Sequence, residues 1–103
     1  MQSITRYRII NPGPRPPYYR LGDHLFGEDA NIDSDGNSES LEDTTWTELS
    51  VSLRDGKSPY VNIDPVSYDP LVLEISCFSS ELAKKTAEYL VKITGGKLEA
   101  VNS

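Results

Sequence analysis

The side chains best suited to chemistry lie in an acidic stretch between about residues 27 and 45. Oxygen-bearing side chains recur there at short intervals, and one glycine lies among them. These side chains are Asn31, Asp33, Asp35, Asn37 and Glu42. Alternating hard oxygen ligands, a glycine for a sharp turn and a glutamate six residues later suit Ca²⁺. The spacing therefore raises the hypothesis of a calcium-binding or calcium-stabilised module that uses residues 31–42.

The pattern of residues 31–42 resembles the EF-hand calcium loop, with Gly36 at the turn and Asn37 where a backbone carbonyl would bind. Two features depart from it. The first ligand, Asn31, is an amide, and Gly27 interrupts any entering helix while a strand leaves after Thr44. A flexible acidic loop around an Asp-Gly turn accounts for the same residues. We favour that interpretation, so no metal or other cofactor is expected.

A second short motif lies in the proline-rich segment 11–17 and the two tyrosines after it. Residues 16–19 read Pro-Pro-Tyr-Tyr, which matches the proline-proline-any-tyrosine ligand of WW domains. Tyrosines that fold onto the core behind a stiff linker explain the same residues, and we favour this second interpretation. Tyr18 and Tyr19 remain candidates for partner contact under either one.

Catalytic chemistry has little support in the sequence. The only histidine, His24, follows Asp23, but no serine or cysteine lies in a recognisable nucleophile motif. Cys77 is expected in the core at the end of a strand. Phosphate-binding loops, dinucleotide motifs and Cys/His metal spacings are all missing from the pattern. We therefore expect a protein that is not an enzyme.

The charge is concentrated in one segment. The chain carries sixteen acidic and ten basic residues, for a formal net charge of -6, and residues 21–48 contain nine of the acids and no Lys or Arg. Phosphate backbones repel such a protein, which argues against nucleic acid as a partner. A basic protein surface would attract it.

The expected fold is α+β in a single domain over residues 1–103. A mostly antiparallel sheet of four to five strands should carry one main helix, about residues 79–94, on one face. Ser79 or Ser80 can cap that helix, and Gly95-Gly96 ends it. The expected strands are Thr5–Ile10, Thr45–Arg54, Tyr60–Asp64, Leu71–Phe78 and, at the end, Leu98–Val101. The strand 71–78 is the most apolar and should be central.

The sequence shows no membrane-spanning run and no secretory signal, and it has a single cysteine. Absence of disulfides fits the cytoplasm best. In size, charge and sheet-plus-helix design the chain resembles the small acidic immunity proteins that bacteria pair with secreted toxins. The resemblance implies a toxin inhibitor whose acidic side chains cover a basic surface around aromatic anchors.

The residues expected to contact such a partner are Asp33, Asp35, Glu39, Glu42, Asp43, Trp46, Tyr18 and Tyr19. Trp46 has two interpretations. Strand alternation places it on the face opposite Leu49, Val51 and Leu53, where it would be an interface hot spot. It would equally serve as an anchor for a loop that folds back over the sheet.

Overall fold

The computed structural model describes residues 3–101, so residues 1–2 and 102–103 of the predicted domain lie outside the described part. The elements in chain order are β1 (Thr5–Ile10), α1 (Tyr18–Phe26), β2 (Ile32–Gly36), β3 (Leu49–Leu53), β4 (Val61–Tyr68), β5 (Leu71–Cys77), α2 (Ser80–Thr94) and β6 (Lys97–Val101). The α+β class is confirmed. Across the described residues the strands number six and the helices two, against the predicted four to five strands and one main helix.

All six strands form one antiparallel sheet in the order β2-β3-β4-β5-β1-β6. The apolar strand β5 lies inside the sheet, as its composition predicts, and Ile75 pairs with Tyr7 on one side and Ile63 on the other. Leu73, Ile75 and Cys77 alternate into the core because neighbouring side chains of a strand point to opposite faces. Strands β2 and β6 are the two edges.

The predicted helix over residues 79–94 is confirmed as α2, and its end signals act as expected. The Ser79 hydroxyl accepts a hydrogen bond from the backbone N–H of Leu82 at 3.2 Å, which satisfies one free donor of the first turn. Gly95 ends the helix in the left-handed region, with φ of 73°. The face turned to the sheet is buried at Ala83, Thr86, Ala87, Leu90 and Thr94.

The first helix is longer than the sequence suggests. The spacing of Leu21, Leu25 and Phe26 before Gly27 predicts only a single helical turn, whereas α1 begins at Tyr18, immediately after Pro17. Leu21 and Leu25 are buried in the same core cluster as α2, so both helices cover one face of the sheet. Packing against the sheet stabilises a helix that is too short to be stable by itself. Neither helix of residues 3–101 is long and apolar enough to cross a membrane.

The predicted acidic loop 27–45 is wrong in one respect, because it contains strand β2. Ile32 pairs with Leu53 and Gly36 with Leu49 at the two ends of the ladder. Asp, Ser and Gly have low strand propensity, so the hydrogen bonds to β3 decide the conformation. In the strand only Ile32 is partly buried.

Trp46 lies in the core rather than on the opposite sheet face. Its side chain is 1% exposed and belongs to the same cluster as Leu49 and Val51, so the predicted placement is wrong. Strand β3 begins at Leu49, not at Thr45, and the strand alternation therefore does not reach Trp46. The structure agrees with the second interpretation of Trp46, in which the side chain anchors a loop that folds over the sheet.

Arg15 and Trp46 connect the proline-rich segment to the end of the acidic loop. The indole Nε1–H donates to the carbonyl oxygen of Pro16 at 2.7 Å, and Arg15 Nε donates to the carbonyl oxygen of Trp46 at 2.8 Å. The backbone N–H of Arg15 donates to the carbonyl oxygen of Thr44 at 2.9 Å. Arg15 is only 8% exposed, and burial lowers its pKa while the nearby Asp43 carboxylate raises it.

Replacing Arg15 should destabilise the fold, because the buried carbonyl oxygen of Trp46 and the partly buried one of Gly13 would each lose a charged donor. We expect Arg15→Met to lower the free energy of unfolding by about 2–3 kcal/mol in urea denaturation. Arg20→Met is the matched control, since Arg20 is exposed, and it should change stability by less than about 0.5 kcal/mol. Equal losses in the two variants would contradict this role for Arg15.

The turn between β3 and β4 is organised by one carboxylate. Asp55 accepts from the Ser58 hydroxyl at 2.7 Å, the Ser58 N–H at 2.8 Å and the Lys57 N–H at 2.9 Å. These hydrogen bonds, the Ser58 hydroxyl first, lower the pKa of Asp55 to about 2. Gly56 beside it has φ of 69°, which suits a tight turn.

A lowered pKa makes the contribution of Asp55 depend on pH. The ionised form stabilises the fold above the unfolded pKa of about 3.9, and the contribution disappears as pH falls through the folded value of about 2. Asp55→Asn should therefore have a lower urea midpoint than the wild type at pH 7, and the difference should shrink between pH 4 and 2. A difference that does not vary with pH would show that the charge has no such role.

Candidate partner-binding site

The outer side of edge strand β2 has backbone groups that the sheet does not use. Asn31 O accepts from the N–H of Arg54, and the N–H of Asn37 donates to Glu48 O, so these opposed residues are hydrogen-bonded pairs. In an antiparallel ladder such pairs alternate with pairs that do not exchange hydrogen bonds. The backbone N–H and C=O groups of Ile32, Ser34 and Gly36 therefore point away from β3, towards the open edge. Arg54 Nε donates to one of them, the carbonyl oxygen of Ile32, at 3.2 Å.

Carboxylates line the face of the sheet that the helices leave open. Asp33 and Asp35 project there from β2, opposite Ser52 and Ser50 of β3. Arg54 Nη2 lies 3.7 Å from Asp33 Oδ1. Further along the face, a shallow groove of about 210 Å³ is bordered by the acidic side chains of Asp35, Glu48 and Asp64. Within residues 3–101 none of these three acids has a Lys, Arg or His nitrogen within 4.0 Å.

The opposite end of the open face is neutralised internally. Arg8 Nε lies 3.0 Å from Glu74 Oε2, and Arg6 Nε lies 3.5 Å from Glu74 Oε1. Glu99 of β6 pairs across from Arg8 in the sheet register. Acidic and basic side chains therefore alternate at this end, while the end near β2 carries unpaired negative charge.

A cleft lies on the helix side of β2, between the strand and α1. It has a volume of about 390 Å³, and its lining includes Tyr18, Tyr19, Ile32, Ser34 and Val51. A second cavity of about 210 Å³ shares Tyr18 and Ser34 with the cleft and extends it along the strand. The cleft is therefore a groove that follows β2 and is walled by two aromatic rings.

Two glycines allow the close packing around this groove. A Cβ at Gly22 would lie 3.0 Å from Ile32 Cδ1, which is tighter than an ordinary contact, so the Ile32 side chain would have to shift. A Cβ at Gly36 would collide with the carbonyl oxygen of Glu48. Gly36 thus serves the close approach of β2 and β3, rather than the sharp turn of a calcium loop.

The turn region after β2, residues 37–48, is held by side-chain hydrogen bonds. Asn37 Oδ1 accepts from the backbone N–H groups of Thr47 and Glu48 at 2.9 and 3.0 Å, and Asn37 Nδ2 donates to Thr47 Oγ1 at 2.8 Å. Tyr19 Oη donates to Glu42 Oε1 at 2.7 Å, which ties the turn region to α1. The loop is consequently ordered by local contacts although it has few apolar groups.

Asp43 serves the turn region itself. Its carboxylate accepts from the Thr45 hydroxyl at 2.6 Å, the Thr45 N–H at 2.7 Å and the Glu39 N–H at 2.9 Å. The hydrogen bond from the Thr45 hydroxyl is the first cause of a lowered pKa for Asp43. The side chain is thus a loop organiser, and Arg15 adds attraction from a distance.

The predicted partner residues fall into three places. Asp33 and Asp35 lie on the open sheet face. Glu39, Glu42 and Asp43 lie in the turn region beside the first turn of α1, where Tyr18 and Tyr19 wall the groove. Trp46 is buried and is not exposed to a partner in this conformation. Sequence reasoning missed Ser34, Glu48 and Asp64, although the alternation of Ile32 and Ser34 with Asp33 and Asp35 has the period of a strand.

The five residues of the calcium hypothesis are not brought together. Asp33 and Asp35 lie on the open face, Asn37 binds Thr47, and Glu42 binds Tyr19. Across residues 3–101 there is no group of three His, Cys, Asp or Glu side chains placed to hold a metal ion. The structure therefore lends the EF-hand resemblance no support.

The proline-tyrosine motif is not displayed as an extended ligand. Pro17 is the N-cap of α1, and both tyrosines are helical. Tyr18 packs against the core, which matches the second interpretation of this segment.

The candidate catalytic groups are engaged elsewhere. The His24 ring stacks on Tyr89 with centroids 4.2 Å apart, and burial, followed by Lys85 and Lys92, lowers its pKa. Cys77 is buried, which raises the pKa of its thiol, and its sulfur accepts from the Ser79 N–H.

Removing the Asn37 side chain should loosen the turn region after β2. Asn37→Ala deletes three hydrogen bonds at the β2–β3 junction, and we expect the free energy of unfolding to fall by about 1 kcal/mol. Hydrogen exchange of the Thr47 and Glu48 amides should accelerate. Asn31→Ala is the control, since Asn31 is exposed and its side chain makes no hydrogen bond in the described part of the chain. Unchanged exchange in Asn37→Ala would contradict this role.

Comparison with known proteins does not assign the chain to a group: no family model matches it, and no similar protein is found among curated proteins or solved structures.

Proposed function

We propose that this chain is a protein-binding module that inhibits a toxin or enzyme by covering a basic surface, in the manner of an immunity protein. The observation that carries the proposal is the unpaired acidic groove beside edge strand β2. Asp35, Glu48 and Asp64 border it without a cation within 4.0 Å in the described part of the chain. Cationic side chains of a partner would complete these interactions.

Fold stability does not account for this arrangement. Like charges on neighbouring strands repel one another, so such a cluster weakens the isolated sheet. The chain neutralises the other end of the same face with Arg6, Arg8 and Glu74, which shows that paired charges are compatible with this sheet. A basic partner would turn the repulsion into attraction and would also accelerate association.

The predicted contacts change in emphasis under this proposal. Asp33 and Asp35 are retained. Glu48 and Asp64 join them because they border the same groove as Asp35, and Asp33 lies on the same sheet face of β2. Tyr18 and Tyr19 supply aromatic surface on the other side of β2. The buried Trp46 supports the loop from beneath. The same charges would repel phosphate backbones, so nucleic acid is not the proposed partner. The proposed location is the cytoplasm, which the free thiol of Cys77 fits.

Neutralising the groove should abolish the attraction without changing the shape. In the variant Asp33→Asn, Asp35→Asn, Glu48→Gln and Asp64→Asn, the proteins captured by the wild type from source-cell lysate should be lost. Binding of a captured protein, once purified, should weaken about tenfold or more. The logarithm of the affinity should also depend less steeply on salt concentration.

The matched control neutralises four exposed acids elsewhere, in Glu28→Gln, Asp29→Asn, Glu81→Gln and Glu88→Gln. It has the same net charge as the groove variant and should change the affinity by less than about twofold. Equal weakening in both variants would show a response to net charge alone and would overturn the proposed groove. A captured enzyme that remains fully active in the complex would overturn inhibition.

A further inference from the structure

The open edge of β2 offers a row of hydrogen-bonding groups that an added strand would complete. The outward-pointing groups belong to Ile32, Ser34 and Gly36, as the hydrogen bonds of Asn31 and Asn37 to β3 require. Arg54 Nε already donates a hydrogen bond to the carbonyl oxygen of Ile32. The N–H and C=O groups of Ser34 and Gly36 have no backbone partner in the described part of the chain. The edge is therefore capped at its first residue and open beyond it.

The two sides of this edge differ in chemistry. Asp33 and Asp35 project onto the open sheet face, where the direct neighbours in an added strand would lie about 5 Å away. On the helix side lies the groove walled by Tyr18 and Tyr19, with Val51 among its lining residues. An extended segment placed here would meet carboxylates at every second side chain. Its other side chains would meet the groove of Tyr18 and Tyr19, whose lining also includes the polar Asp23 and Asn31.

A further observation lies at the Gly36 end of the groove. The Ser38 hydroxyl oxygen is buried and has no hydrogen-bond partner among residues 3–101. Ser38 lines the cavity that extends the groove along β2. Buried polar atoms normally have a partner, and an incoming backbone group would supply one.

We propose that β2 takes up an extended segment of a partner protein as a seventh strand, with basic residues alternating with apolar or aromatic ones. The inference rests on the proposed function and names the chemistry of the partner at that site. Basic side chains of the segment pair with Asp33 and Asp35, and the alternate side chains enter the groove beside α1. Backbone hydrogen bonds to Ser34 and Gly36 provide affinity, and the alternation provides specificity.

The other edge is less suited to this role. Strand β6 presents Lys97 and Glu99 on the open face, as their pairing with Ile10 and Arg8 shows. Opposite charges two residues apart do not select a basic or an acidic segment. Strand β2 instead presents two carboxylates, Asp33 and Asp35, on the open face, so it attracts only cationic side chains there.

The test uses the full chain and a synthetic peptide of about seven residues in which lysine alternates with valine or tyrosine. Peptide binding should slow hydrogen exchange of the Ser34 and Gly36 amides by about tenfold or more, because they enter a ladder. Amides of β6 should not change. A peptide of the same composition with its lysines grouped at one end should give no protection of Ser34 or Gly36.

A proline at residue 34 provides a sharper test, since the N–H it removes points outward. Ser34→Pro should keep the fold, because proline is tolerated at such a position on an edge strand, but should bind the alternating peptide about tenfold more weakly. Ser34→Ala keeps the N–H and should bind like the wild type. If Ser34→Pro does not fold, strand addition is tested by the hydrogen exchange of the Ser34 and Gly36 amides in the wild type with and without the peptide. Peptide binding without protection of Ser34 and Gly36 would overturn the strand addition.

The two proposals fail in distinguishable ways. A captured partner that is lost by the groove variant but retained by Ser34→Pro would leave the acidic surface in place and overturn β2 as a pairing edge. Retention by the groove variant together with protection of Ser34 and Gly36 would support strand addition and overturn recognition by charge.

Discussion

The contacts between Arg15 and Trp46 are the interaction on which the candidate site depends. They join segments about thirty residues apart in the chain through the indole N–H, the guanidinium and a backbone N–H. The proline-rich segment leads directly into α1, and the loop that contains Trp46 leads directly into β3. Because α1 and β3 both line the groove of Tyr18 and Tyr19, the position of that groove follows from the contacts of Arg15 and Trp46. The guanidinium can be buried since carbonyl oxygens of Gly13 and Trp46 accept its donors.

The proposed site lies where the fold is least supported by apolar packing. Strand β2 contributes only the partly buried Ile32 to the core, and the turn region after it is ordered by Asn37, Asp43 and Tyr19 through polar contacts. Local opening costs least in such regions, which is common for binding elements. The edge is also protected against unwanted pairing, because the strand is short and acidic and Arg54 occupies its first outward carbonyl. These features favour pairing with a cationic segment over pairing between copies of this acidic strand.

The open sheet face shows how one surface can be stable and still prepared for a partner. Glu74 between Arg6 and Arg8 neutralises the region of β5 and β1, towards the β6 edge of the sheet. Asp35, Glu48 and Asp64 leave the region near β2 with unpaired negative charge. The excess of acid that the composition reports is therefore not spread evenly over the molecule. Part of it, in Asp35, Glu48 and Asp64, lies at one end of the open face, beside the edge that has free backbone groups.

Strands β1 and β5 and helix α2 were predictable because their signals are local. Alternating apolar residues, a serine cap and a terminal glycine act within a few residues of the chain. The charge excess of residues 21–48 is likewise a property of the sequence alone. Strand β2, the burial of Trp46 and the length of α1 depend on contacts with residues far along the chain. The pairing of Ile32–Gly36 with β3 overrides weak strand propensity, and the hydrogen bonds of Arg15 and Trp46 hold the loop against the core. Tertiary structure thus decided which acids share a face with an open edge, because no local pattern specifies a distant partner.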